Sequence, residues 1–174
     1  MTKKLSPPSA TGPAGPIFEA KIGALYMLAM LKGAAAHGLP DSKIERIALQ
    51  GAPDGNSLDD VIVHGRLPDG APATLEVQVK RDIAFSPKDP VFRDVVEQIV
   101  DVIKRPGYAT ERHELAVATG KITGVVSGPY QEVLSRARSH ASAETFFKHL
   151  RQAGLGHAVA DVVQHAAVKQ VRVL

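Results

Sequence analysis

The segment Leu75-Glu76-Val77-Gln78-Val79-Lys80-Arg81 alternates apolar and polar side chains. In an extended strand Leu75, Val77 and Val79 point to one face, and Glu76, Gln78 and Lys80 to the other. A face that carries a carboxylate, an amide and an ammonium group has the parts of a metal-assisted phosphodiester site. Upstream, Asp59-Asp60 immediately precede a second strand-like run, Val61-Ile62-Val63. An acid ahead of one strand, followed by Gln-x-Lys on the next, points to metal-dependent nuclease chemistry.

Phosphodiester hydrolysis needs a hard divalent cation, an oriented water, and positive charge beside the developing phosphorane. Mg²⁺ takes oxygen ligands and keeps several waters, so one or two side chains suffice to hold it, and Mn²⁺ can stand in its place. Asp60 adjoins the apolar strand and is favoured as the anionic ligand, with Asp59 as a possible neighbour. Gln78 offers a neutral carbonyl oxygen, and Val79 its backbone carbonyl. Lys80, on the same face as Gln78, would point at the scissile phosphate or the attacking water. Glu19 is the only acid between Ile17 and Leu31. A carboxylate on a buried helix is costly unless it is paired or bound to metal, so Glu19 is expected to support the metal shell, directly or through a water.

The elements that must position these residues follow from patterning. Pro16 to about Ala36 is rich in helix formers and apolar almost all round, which predicts a central, buried helix. Gly38 to Asp41 breaks it, and Ile44–Gln50 reads as a short strand. Asp60–Gly65 and Ala73–Lys80 are strands joined through Pro68-Asp69-Gly70, an antiparallel hairpin. Asp89-Pro90 supplies an N-cap and a first-turn proline to an amphipathic helix over Val91–Lys104. Glu114–Ala118 is a short buried strand, and Ser127 and Ser142 cap two further helices ending near Arg138 and Gly154. Helical periodicity from His157 to Ala166 gives way to strand-like Val171–Leu174. The order predicts an α/β fold with a central mixed β-sheet flanked by α-helices.

At 174 residues, residues 1–15 are expected to be a disordered lead-in and 16–174 one domain, with the terminal strand suggesting the N-terminal part of a longer protein. The net charge of +3 is compatible with nucleic acid without demanding it. With no cysteine, thiol nucleophiles, thiolate metal sites and disulfides are excluded, and a cytoplasmic location is the natural expectation. The run Ile22–Leu31 is apolar but bracketed by Lys21 and Lys32 and too short to span a membrane.

Phe18-Glu19, Leu58-Asp59-Asp60-Val61-Ile62-Val63 and Gln78-Val79-Lys80 resemble, in that order, the PD-(D/E)xK nuclease superfamily. The nearer likeness is to its Gln-x-Lys branch, which includes Mrr-like restriction enzymes and the N-terminal double-stranded DNA nuclease domains of bacterial anti-phage effectors. The resemblance covers residues 16 to about 105, with Val117-Ala118-Thr119-Gly120 similar to a later strand. It implies a restriction-endonuclease-like fold, with Asp60 and Gln78 as metal ligands, Lys80 as the catalytic lysine and Glu19 as the helix acid. It further implies Mg²⁺-dependent cleavage of double-stranded DNA, control by a sensor or NTPase domain, and homo-oligomerisation when active.

Each motif alone has a plainer reading: a solvated strand face for Gln78-x-Lys80, a turn acid for Asp59-Asp60, a paired core acid for Glu19. The alternative to the enzyme is an inactive nuclease-fold module that binds nucleic acid or a partner protein; a weaker one keeps the chemistry on RNA. Arg81, Lys88, Arg93, Lys104 and Arg105, and a second cluster of Arg136, Arg138, Lys148 and Arg151, are candidates for phosphate contacts. The seven histidines show no ligand spacing, and His64 is expected at the surface. Gly120-Lys121 lacks the upstream glycine of a P-loop, and no Gly-x-Ser-x-Gly elbow is present.

Overall fold

The β-branched run Val61-Ile62-Val63 and the alternating run ending at Lys80 pair as the predicted hairpin, through a turn in which Gly70 takes φ +85°. The computed structural model describes residues 14–50, 58–86, 88–108, 110–121, 124, 128, 130–139, 142–152 and 171–173. In chain order the elements are α1 (Ala14–Leu31), β1 (Lys43–Leu49), β2 (Val61–Arg66), β3 (Pro72–Lys80), α2 (Pro90–Ile103), β4 (Arg112–Thr119), α3 (Gln131–Ser139), α4 (Ala143–Gln152) and β5 (Val171–Val173). Among the described residues they form one sheet in the order β1-β2-β3-β4-β5. The β1–β2 and β2–β3 pairs are antiparallel, and the β3–β4 and β4–β5 pairs are parallel. The mixed sheet flanked by helices is the one expected from the sequence.

Alternation sorts β3 between two layers. Leu75, Val77 and Val79 join Val61, Val63, Ala116 and Ala118 beneath α1. On the opposite face Leu58, Leu115 and Val117 pack with Val95, Ile99 and Val102 of α2. Each fully buried Val or Leu contributes roughly 1.5–3 kcal/mol relative to exposure. α2 starts where its sequence says it should: the Asp89 side chain accepts from the amides of Val91 and Phe92, and Pro90 opens the first turn. Ser142 caps α4 in the same way, its hydroxyl accepting from Thr145 N at 3.2 Å. Ser127 and the periodic stretch His157–Ala166 lie outside the described residues.

The first helix departs from expectation. Only Gly23 and Tyr26 of α1 are buried, and Ile17, Leu25, Leu28 and Leu31 are exposed. The helix ends at Leu31, at the Gly33 turn, and covers the sheet with one face while the other stays in solvent. A helix that is apolar all round does not bury itself when one layer of sheet is all that faces it. Its 18 residues are also long and apolar enough, by length and composition, to cross a membrane, which the count from Ile22 to Leu31 missed. Phe18, Ile22 and Ala29 pack it onto the core.

Candidate functional site

The register of the hairpin brings the predicted residues together. Val61 pairs with Val77, so position 60, one step before β2, lies across from position 78 on β3. Gln78 Nε2 donates to Asp60 Oδ2 at 2.7 Å, and the amide of Val79 donates to the same oxygen at 2.6 Å. Lys80 Nζ stands 3.6 Å from it. Of the two adjacent aspartates, Asp60 is therefore the one that meets the Gln-x-Lys strand.

Glu19 reaches this end of the sheet from the α1 layer through a residue that the sequence did not single out. Gln50 follows β1 with φ +53°; its amide donates to Asp60 O at 3.2 Å, and its side-chain Nε2 donates to Glu19 Oε1 at 3.1 Å. A glutamine closing a strand has no sequence signature, and only the pairing of Leu49 with Val61 puts it beside Asp60.

Burial pushes the Asp60 carboxyl above its ordinary range. The Lys80 charge and the Val79 amide oppose this, while the carboxylates of Glu19 and Asp59 reinforce it. Two acids from different elements thus repel across one small region, the electrostatic condition a divalent cation relieves. Gln78 is almost wholly buried, and among the described residues its Oε1 has no hydrogen-bond partner. A buried carbonyl oxygen without a donor is costly, and a hard cation is one partner that would satisfy it. In the observed arrangement the amide nitrogen faces Asp60, so ligation through Oε1 requires the amide to turn over about its last torsion. The fit to Mg²⁺ is thus one carboxylate at the strand, one neutral oxygen, and Glu19 from the helix. Among the described residues no three acids or histidines gather in one place.

The predicted basic residues divide. Arg81 is held at 2.8 Å by Asp82, which also holds Lys121, not one of the predicted set, at 2.6 Å, at the rim where β3 and β4 end. There Gly120 donates to Arg81 O, and a Cβ at Gly120 would come within 3.0 Å of that oxygen. Lys88, Arg93, Lys104 and Lys148 are exposed. Arg136 pairs with Glu132 along α3, and the side chains of Arg138 and Arg151 are outside the described ones.

Arg105 departs from its phosphate-binding expectation. It pairs at 2.7 Å with Glu76, whose side chain is 2% exposed, and His113 Nε2 lies 3.0 Å from the same Glu76 oxygen. The polar face of β3 is therefore buried under α2, not solvated. The signal was available in the amphipathic helix that follows β3, which needs a sheet face to cover. His64 is half-buried, with exposed Arg46 placing its Nη2 2.7 Å from the His64 Nε2. Burial, then the charge of Arg46, lowers its pKa below the ordinary imidazole value.

Comparison with family models, with curated proteins and with solved structures returns no match to this chain.

Proposed function

We propose that the chain is a Mg²⁺- or Mn²⁺-dependent endodeoxyribonuclease of the PD-(D/E)xK superfamily, with a restriction-endonuclease-like fold, cutting double-stranded DNA with little sequence preference. One observation carries this: Gln78, Val79 and Lys80 all converge on a single oxygen of Asp60 at the end of the central strand, with Glu19 electrostatically coupled to it. Asp60, Gln78, Lys80 and Glu19 are the four positions to which the motif resemblance gives a role, and together they have the complement of charges a phosphodiester site needs.

Asp60 and Gln78 would hold the cation, with the Val79 carbonyl and Glu19 completing its shell. The cation supplies Lewis acidity and a more acidic bound water. Lys80, released from Asp60 by the competing charge, would neutralise the non-bridging phosphate oxygens or orient the water. Gln50 holds the Glu19 carboxylate toward the site. Lys88, Arg93 and Lys104 would track the DNA backbone, contributing affinity and little sequence preference. A cytoplasmic phage-defence effector governed by a sensor or NTPase domain is the setting that goes with the resemblance.

A specific observation favours a second reading. The Asp60 oxygen is already served by two donors and an ammonium group, and the ligand set contains a neutral amide where a second strand carboxylate would bind metal more strongly. That is also how an inactive nuclease-fold module that binds nucleic acid or a protein would look.

Supercoiled plasmid incubated with Mg²⁺ or Mn²⁺, beside Lys80→Ala and an EDTA control, separates the two. Nicking that needs both the metal and Lys80 establishes the nuclease. DNA binding without cleavage at any protein concentration leaves the inactive module.

A further inference from the structure

The outer face of α1 carries Ile17, Ala20, Ala24, Met27, Leu28 and Leu31, all exposed; Leu31 is 80% exposed, Leu28 52% and Ile17 51%. Ile17, Ala20, Ala24, Met27 and Leu31 follow at alternating intervals of three and four residues, the heptad spacing with which one helix seats against another. Lys21 is the one charge on that face. The apolar surface left in water by Ile17, Met27, Leu28 and Leu31 amounts to roughly a few hundred Å², the scale of a patch that marks an interaction site and a large part of the about 800 Å² per partner that a stable interface covers.

The stripe is also self-complementary. Ile17 and Leu31 lie equally far in sequence from Ala24, as do Ala20 and Leu28. We infer that α1 is a homodimer interface, in which two copies pack their first helices antiparallel about a two-fold axis at Ala24. In that arrangement Ile17 of one copy meets the partner's Leu31, and Leu28 lies over the partner's Ala20. Leu28 thus covers a small residue, Met27 falls opposite the aliphatic stem of the partner's Lys21, and the alanines at the crossing let the helices approach closely. A two-fold interface requires one patch to fit itself, and this stripe does. The inference holds whether or not the chain cuts DNA, because the stripe is on the side of α1 away from Tyr26 and the sheet.

Ala24→Glu tests it, since Ala24 is exposed and glutamate is a good helix former. Sedimentation equilibrium on the full chain at tens of micromolar should give twice 18.5 kDa for the wild type and 18.5 kDa for the variant, with unchanged circular dichroism. Because the chain has no cysteine, Ala24→Cys under copper–phenanthroline oxidation should form a covalent dimer, and Lys88→Cys should not. A wild-type mass of 18.5 kDa at about 100 µM, or a dimer that Ala24→Glu leaves intact, overturns it. So does a monomer that co-sediments with phosphatidylcholine–phosphatidylglycerol vesicles, which would assign the face to lipid.

Discussion

A single carboxylate oxygen, Asp60 Oδ2, gathers the groups on which the proposed chemistry depends, and this makes Lys80 the sharpest residue to remove. Its ammonium is partly exposed and sits 3.6 Å from Asp60, so truncation leaves no buried cavity. Lys80→Ala is expected to lower cleavage by about 10²-fold or more, the scale of losing one charge aimed at the transition state, while DNA affinity changes only a few-fold. Plasmid nicking and fluorescence anisotropy read the two effects separately. His64 makes a different prediction, about stability. Its imidazole nitrogen meets the Arg46 guanidinium, and His113 adds to the upward cost of a second charge while Glu76 opposes it. The folded-state pKa lies below the ordinary imidazole value of about 6.5, so between those two values the unfolded chain binds the proton and the folded chain does not. Stability from this group is full above pH 6.5 and is lost as pH falls toward the lowered value. Urea unfolding across this range should show that slope in the wild type and lack it in His64→Gln; equal slopes would remove His64 as the cause. Asp60, Gln78, Lys80 and Glu19 were legible in the sequence because strand alternation and motif order fix their faces. Gln50 was not, because its role comes from a left-handed backbone and a cross-strand neighbour.

Strands and helices were legible where patterning and capping agree, as in α2 with Asp89 and Pro90, and in the β2–β3 hairpin with its Pro-Asp-Gly turn. They were misread where composition alone spoke. α1 is apolar on every side, and nothing in such a sequence distinguishes a core helix from one whose second face meets another molecule. The layer between β3 and α2 shows the same limit from the other direction. Glu76 reads as half of a solvated face until α2 closes over it, and Arg105, just past the end of α2, then becomes its partner. Removing one member of a buried ion pair strands the other, which costs about 3–5 kcal/mol; Arg105 is itself 26% exposed, so the lower end applies. Arg105→Ala is thus expected to destabilise the fold by about 3 kcal/mol, and restoring a neutral face with Arg105→Met and Glu76→Gln together should recover much of that loss. Denaturant midpoints of the single and double variants form the cycle. A loss under about 1 kcal/mol for Arg105→Ala would mean that His113 alone satisfies Glu76.

Across the whole molecule, β3 is the middle strand of the sheet, paired on both edges and covered on both faces, and the candidate site sits at its carboxyl end. Position in the sheet decides how the chain should open. β1 and β5 are the outer strands among the described residues, and each can part from one neighbour without exposing Val77 or Val79. β3 cannot leave without exposing both layers at once. Amides of Leu75–Val79 are therefore expected to exchange with solvent only through global unfolding, with those of β1 exchanging through smaller openings. A divalent cation, if bound by Asp60 and Gln78 as proposed, would tie the start of β2 to β3 in the folded state alone. At ten times its dissociation constant it should add about 1.4 kcal/mol to the protection of every globally exchanging amide, and much less to the edges. Hydrogen exchange followed by mass spectrometry, with and without Mg²⁺, reads both quantities on one sample. A uniform shift in β2, β3 and β4 that disappears in the Asp60→Asn protein would locate the cation by its thermodynamic effect, independently of any cleavage. Protection of β3 that stays fixed at saturating Mg²⁺ would instead mean that the carboxylate remains committed to Gln78, Val79 and Lys80, and that the metal reading of this site is wrong.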